Sequence, residues 1–334
     1  FLLAKSASAA TAALGFAGYL LHSLGAGDNG LVVPVALAAV VGITALTIGG
    51  IRRSNMVNVT IVSVTIGTLA FFVVGGLPSV GQNASTNLSG FFGAGPVGLI
   101  NAVALMFVAY TGYGRIATLG EEVREPRRTI PRAIITTLVF TMTLYVLVAF
   151  VALASVGPGF FAGTVEGAAA PLEIVARTFA IPGLGLVMAV GAVTAMLGVL
   201  LNLVLGLSRV LLAMGRRRDM PQVVARLDAA QTTPYVAVLV MGTVIGSLVL
   251  LGDVKTTWSF SAITVLLYYA LTNLSALQLT DDQRLFPRWV AYAGLASCLF
   301  LTFWVSVRIY LVVGGLLGVG LAWKWVMNRS QAKA

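Results

Sequence analysis

Long apolar stretches alternate with short polar ones along the whole chain. Runs of about twenty apolar residues, enough to cross ~30 Å of hydrocarbon as a helix, lie near 1–22, 31–51, 57–77, 97–119, 133–156, 183–214, 234–252, 257–279, 287–306 and 309–327. The pattern predicts an all-α polytopic membrane protein, with about ten transmembrane helices in one membrane domain over 1–334. The sixth run is long enough to project past the bilayer. Between the third and fourth runs, "GLPSVGQNASTNLSGFFGAGP" (76–96) is uncharged and rich in turn formers, so it predicts a solvated outer loop. It carries N-x-S sequons at Asn83 and Asn87.

Composition strengthens this picture. Of 334 residues, 58% are hydrophobic and 10% charged, where soluble domains carry about a quarter charged. Mean hydropathy is +0.97. A single cysteine (Cys298) and a single histidine (His22) exclude a disulfide framework and a zinc cluster. Neither a metal nor a cofactor is called for, beyond a coupling proton or sodium ion. Phe1 opens inside an apolar run with no charged n-region and no small-residue cleavage site, which excludes a signal peptide. The expectation is a chain cut within a transmembrane helix.

The net charge of +10 follows topology rather than nucleic acid. One set of loops carries Arg52 and Arg53, Arg124 to Arg132, Arg216 to Arg226, Arg284 and Arg288, and Lys324 to Lys333. Arg177, Lys255 and Arg308 fall in the opposite loops, and the other 18 of 21 cationic residues lie on the first side or at its edge. The positive-inside rule puts that side in the cytoplasm, the C-terminus included. The predicted location is the plasma (inner) membrane, multi-pass.

The fourth run is irregular where lipid demands regularity. In "VGLINAVALMFVAYTGYGRIATLGEE" the glycines 112 and 114 each cost about 1 kcal/mol against alanine in a helix. Non-helical backbone at membrane depth survives only beside protein or a watery cavity. Two readings stand: close helix packing, or an unwound segment whose free N–H and carbonyl groups bind a small solute. In the second, N–H groups suit a carboxylate and carbonyls an ammonium or sodium ion, which fits a zwitterionic amino acid. Immediately inside, "EEVREPRRTIPRA" sets Glu121, Glu122 and Glu125 against Arg124, Arg127, Arg128 and Arg132 in a loop stiffened by Pro126 and Pro131. Arg115 and Arg209, near the cytoplasmic ends, are expected to snorkel or pair with Glu121 and Glu122.

Other short patterns lead nowhere. "GAGPVG" (93–98) and "GYGRIA" (112–117) fit a dinucleotide fingerprint but lack the strand and soluble βαβ unit it needs. "YTGYG" (110–114) resembles a potassium-channel filter, yet a full-length span runs through it and emerges on the basic side. A channel stays open as an alternative to a transporter. No nucleophile–base–orienter set appears, so no catalytic residues are assigned and an enzyme is not expected.

"FVAYTGYGRIATLGEEVREPRRTIPRAI" (107–134) resembles the broken sixth span and following loop of permeases of the amino acid–polyamine–organocation superfamily. "LSRVLLAMGRRRDMPQVVARLDAAQTTPYVAVL" (207–239) is similar to the family's eighth span and proline-marked start of the ninth. "YYALTNLSALQL" (268–279) is similar to the tenth, and "SNMVNVTIVSVTIGTLAFFVV" (54–74) to the fifth. The resemblance implies a 5+5+2 inverted-repeat transporter lacking its first two spans. Residues 1–80 would be the rest of the first repeat, 97–280 the second, and 286–327 the last two spans.

It also implies substrate contacts at Phe107, Val108, Ala109, Tyr110, Thr111 and Gly112, with Phe107 or Tyr110 as an aromatic gate. The implied loop motif is Glu121, Glu122, Pro126, Arg128 and Pro131. Val108 stands where relatives often present a larger aromatic, and Gly114 where they often carry an acid. Both argue against a cation-specific pocket. By the same alignment Thr65 takes the place of a lysine found in proton-coupled relatives. Ser63, Thr65 and Asn202 are candidate ion-coupling groups, or routine interhelical hydrogen-bond groups. The implied function is secondary transport of an amino acid or related amine by alternating access. The remaining alternative is a non-transporting fragment.

Overall fold

The computed structural model describes residues 1–26, 30–50, 55–113, 123–167, 170–228 and 233–305, with positions 310, 311, 313–315, 318 and 320. Within these the chain is all-helical. In order the helices are α1 (Leu2–Ser23), α2 (Val32–Ile48), α3 (Asn55–Asn87), α4 (Gly95–Met106), α5 (Pro126–Val156), α6 (Pro158–Gly167), α7 (Pro171–Arg177), α8 (Leu184–Arg216), α9 (Tyr235–Val249), α10 (Val254–Ala276) and α11 (Arg288–Thr302). Short 3₁₀ turns occur at Phe107–Tyr110 and Gln222–Ala225.

α1 is the hub, packing against α8, α10, α2 and α9. Its sequence explains this: Ala7, Ala9, Ala10, Ala13 and Ala17 are fully buried. Side chains this small let neighbouring backbones approach, and close packing drives helix association where lipid competes equally for apolar surface. The α1–α10 seam is laced with hydroxyls. Thr11 Oγ1 donates to Thr257 Oγ1 (2.9 Å), and Ser8 Oγ lies 2.8 Å from Ser261 Oγ. We expect a Thr11→Val/Thr257→Val double-mutant cycle to give a coupling of about 0.6 kcal/mol, the usual scale for membrane hydrogen bonds. Additive unfolding energies would remove that bond from the seam.

Four helices are long and apolar enough to cross a membrane among the described residues: α3 from Met56, α5, α8 and α10. In α3 and α5 only 6% of the most apolar window is buried. Most apolar residues of those windows are therefore exposed or half-buried, as a lipid solvent allows. α2, α9 and the Gly95–Tyr110 segment are apolar but shorter.

Boundaries differ from expectation in three places. α3 runs on to Asn87 through Pro78, so the first half of the supposed outer loop is helix. Gly75 and Gly76 press against Ile181, Leu184, Val151 and Phe179, and Asn87 Nδ2 donates to Ala154 O (3.0 Å). This packing outweighs the hydrogen bond that Pro78 cannot make. α5 begins at Pro126, with Pro131 inside it, so both prolines belong to its opening turns rather than to a loop. Pro126 costs no bond at the first position, because first-turn N–H groups have no intrahelical acceptor, whereas Pro131 lies beyond that turn and forgoes the bond to the carbonyl of residue 127. Finally, α6 and α7 fill the stretch between the fifth and sixth runs. Most of the tenth run lies outside the described residues.

Candidate functional site

α-Helical geometry in the fourth run stops at Met106. A 3₁₀ turn follows over Phe107–Tyr110, then extended Thr111 (φ −98°, ψ 162°) and Gly112 at φ 122°. The groups left by the lost α-helical ladder are answered from within the segment and from α10. Thr111 N–H and Thr111 Oγ1 both donate to Val108 O, at 3.1 and 2.8 Å. Trp258 Nε1, on α10, donates to Leu105 O at 2.9 Å. Protein thus satisfies a broken backbone, the condition for irregular structure at membrane depth. Beside Gly112 an added Cβ would meet no atom of the described residues within 4 Å.

Aromatic rings surround the break. Phe107 and Tyr113 both meet the Tyr269 ring, at centroid distances of 5.6 and 5.5 Å. Tyr268 stacks edge-on to Tyr269 at 5.1 Å. From the other side Tyr110 faces Tyr145 of α5 at 5.5 Å. Of the six predicted contact residues Val108 is buried, while Phe107, Ala109, Tyr110, Thr111 and Gly112 are half-buried around the turn. Gly114, Arg115, Glu121 and Glu122 lie outside the described residues.

One residue at the site was misplaced by sequence reasoning. Lys5, counted among the edge cations, is 7% exposed on α1, and its Nζ donates to Thr111 Oγ1 at 3.2 Å. The available signal was a lone cation within the apolar, small-residue run "FLLAKSASAATAALGF", an expensive placement that marks function by default. Nearness to the chain's first residue disguised it.

The candidate ion-coupling residues do not form one cluster. Ser63 and Thr65, two apart on α3, point to different faces, and Ser63 is exposed. Thr65 Oγ1 donates to Ile61 O on its own helix (2.8 Å). Added Cβ atoms would put Gly198 against Ile61 and Gly191 against Thr68, which makes α3 and α8 antiparallel with Thr65 between those contacts. Asn202 lies a turn beyond Gly198, on the far side of Ile61.

On the basic side, Arg127 Nη2 donates to Asp282 O at 2.8 Å, tying the start of α5 to the loop after α10. A hydrogen bond from Thr280 holds the exposed Asp282 carboxyl below its usual range, with Arg127 acting in the same sense. Arg128 and Glu125 approach to 3.7 Å, both exposed, a geometry worth about 0–1 kcal/mol. Elsewhere, a 440 Å³ cavity opens beside Arg177 and the 179–186 segment, and a 330 Å³ apolar groove runs between α2 and α9. Neither touches the interrupted helix.

An all-helical, multi-pass membrane bundle with a protein-supported break in one apolar helix defines the class: a membrane transporter architecture. Residues 2–318 match the amino acid permease family model, and the chain belongs to that family, one of transporters rather than enzymes. It is 40% identical over 288 residues to an uncharacterized transporter of Mycobacterium tuberculosis, covering 86% of this chain and 64% of that protein. It is 27% identical over 312 residues to the Bacillus subtilis branched-chain amino acid permease BcaP, covering 89% and 64%. It is 30% identical over 234 residues to mouse cationic amino acid transporter 4, covering 69% and 36%. The chain thus spans about 64% of the length of the first two relatives.

Proposed function

We propose that this chain forms most of a secondary transporter that moves an amino acid or related amine across the plasma membrane by alternating access. The observation that carries the proposal is the break after Met106, with its aromatic surround. A half-helix that ends inside the bundle offers its negative pole to a cation. Free N–H groups beside such a break would suit a carboxylate. Phe107, Val108, Ala109, Tyr110, Thr111 and Gly112 form the substrate contacts in this account, with Tyr110 as a gate over the break. The relatives named for branched-chain and for cationic amino acids support an amino acid substrate.

The same reading keeps 1–80 as part of a first repeat, 97–280 as a second and 286–327 as a final pair of spans, and puts the basic loops and the C-terminus in the cytoplasm. Ser63, Thr65 and Asn202 stay as candidate coupling groups, and Glu121, Glu122, Pro126, Arg128 and Pro131 as the cytoplasmic motif, of which Pro126, Arg128 and Pro131 belong to the start of α5.

Uptake of radiolabelled amino acids into proteoliposomes holding the full-length protein tests this directly. Saturable uptake is expected, and Tyr110→Ala should raise the apparent KM several-fold at similar protein abundance. Absence of flux with every amino acid and polyamine tried would refute the function. An unchanged KM removes Tyr110 from the site.

A further inference from the structure

We propose that the groove between α2 and α9 holds one acyl chain of a membrane phospholipid as an ordered ligand. The proposal needs the membrane setting of the bundle and nothing about the transported solute. Thr44 lies against Gly242 and Leu37 against Gly246, so the two helices run antiparallel. They touch at one crossing, where a Cβ added to Gly242 would stand 2.6 Å from Thr44 Oγ1. Their inner faces are used within the bundle: Val40, Ile43, Ala237, Val238, Met241 and Ile245 share one buried cluster with residues of α1 and α8. Outside the crossing lies the 330 Å³ recess, walled by Leu37, Val41, Ala45 and Ile48 on one side and Leu239 and Gly246 on the other.

Chemistry, size and length select the occupant. Neither helix carries a charged residue. Both hydroxyls in the lining are spent on their own helices: Thr44 Oγ1 donates to Val40 O at 2.7 Å, and Thr243 Oγ1 to Leu239 O at 3.0 Å. A polar solute finds no free donor there, and an ordered water, which needs about two to four polar partners, is no better served. A second helix is also excluded, because it is about 10–12 Å across with its side chains and cannot enter so small a recess. An unbranched hydrocarbon chain can. Along α2 the wall from Leu37 to Ile48 measures about 16 Å at 1.5 Å per residue, roughly half of the ~30 Å hydrocarbon layer. It ends at Ile48, the last residue of the helix, so the recess runs from one rim towards the midplane and matches a single leaflet. A chain seated there gains dispersion contacts from two walls at once, the kind of close packing that drives association within lipid.

Native mass spectrometry of the full-length protein, purified in mild detergent from membranes of phosphatidylglycerol and phosphatidylethanolamine, tests this. The parent should retain one phospholipid per chain. Gly246→Leu should lower the retained fraction at least fivefold: its Cβ would meet only Leu37 Cδ2, at an ordinary 3.6 Å, so the new side chain fills the recess without forcing the helices apart. Gly42→Leu is the control, exposed on α2 outside the recess with no described atom within 4 Å of its added Cβ, and should retain lipid as the parent does. A measurement on the parent alone decides the matter if Gly246→Leu misfolds: after delipidation, returned phosphatidylglycerol should raise the thermal midpoint and saturate at one lipid per chain. Loss of all lipid from the parent overturns the proposal, as does equal retention in the two variants or a rise that never saturates. A dimer of the chain that Gly246→Leu splits also overturns it, with a second copy as the occupant. Amino acid uptake is read separately: uptake without a retained lipid leaves the transport function standing, and a retained lipid without uptake leaves the lipid site standing.

Discussion

Gly112→Ala is expected to cut uptake by roughly five- to a hundredfold while the protein still reaches the membrane and elutes as a folded species. The reason is conformational. Gly112 adopts φ 122°, a region L-residues seldom enter, and forcing one there costs about 1–3 kcal/mol. Among the described residues no atom lies within 4 Å of the new methyl, so the backbone conformation carries the expected effect. The added strain falls on the turn between Thr111 and Tyr113, which sets the Thr111 hydroxyl against both Val108 and Lys5. Relief of the strain means a different backbone path, and the substrate contacts move with it. Kinetics matching the parent would show that the glycine's geometry is incidental to transport.

The second large effect is on stability. Gly76→Val should lower the thermal unfolding midpoint in detergent sharply and reduce membrane abundance. A Cβ at Gly76 would lie 2.3 Å from Val151 Cγ1 and 2.8 Å from Phe179 Cζ. Val151 and Phe179 are 1% and 5% exposed within the cluster that also holds Phe72, Leu184 and Met188, so neither can swing clear. Overpacking of this kind costs typically 1–3 kcal/mol even before the second branch of valine is placed. Gly67 and Gly81 supply controls on the same helix: nothing lies within 4 Å of their added Cβ atoms. Alanine there should be neutral or stabilise by up to about 1 kcal/mol through helix propensity. Equal midpoints for Gly76→Val and Gly67→Ala would contradict the α3–α5 packing.

The irregular stretch was legible in part before any coordinates. The glycines near 112 left two readings, close packing or an unwound segment, and the structure shows the α-helix ending at Met106. What stayed hidden was who answers the broken ladder. Trp258 and Tyr269 sit some 150 residues away in sequence, and periodicity says nothing about such partners. Lys5 was visible but misjudged, since a cation near the start of a run looks like a loop cation until a neighbouring helix is seen to bury it. The prolines at 78 and 131 misled in the opposite direction. Each reads locally as a stop, yet helix runs through both: at 78 neighbouring helices hold the chain, and at 131 the helix continues at the cost of one backbone bond near its start.

By itself the sequence determined the solvent and the helical class, because these depend on summed apolar length. It also located the weak point in the fourth apolar run. Only the tertiary structure decided how far each helix extends, which small-residue faces meet, and that Lys5 comes to rest on Thr111. Those outcomes depend on contacts between helices distant in the chain, where a few tenths of an ångström at one backbone crossing outweigh any local preference.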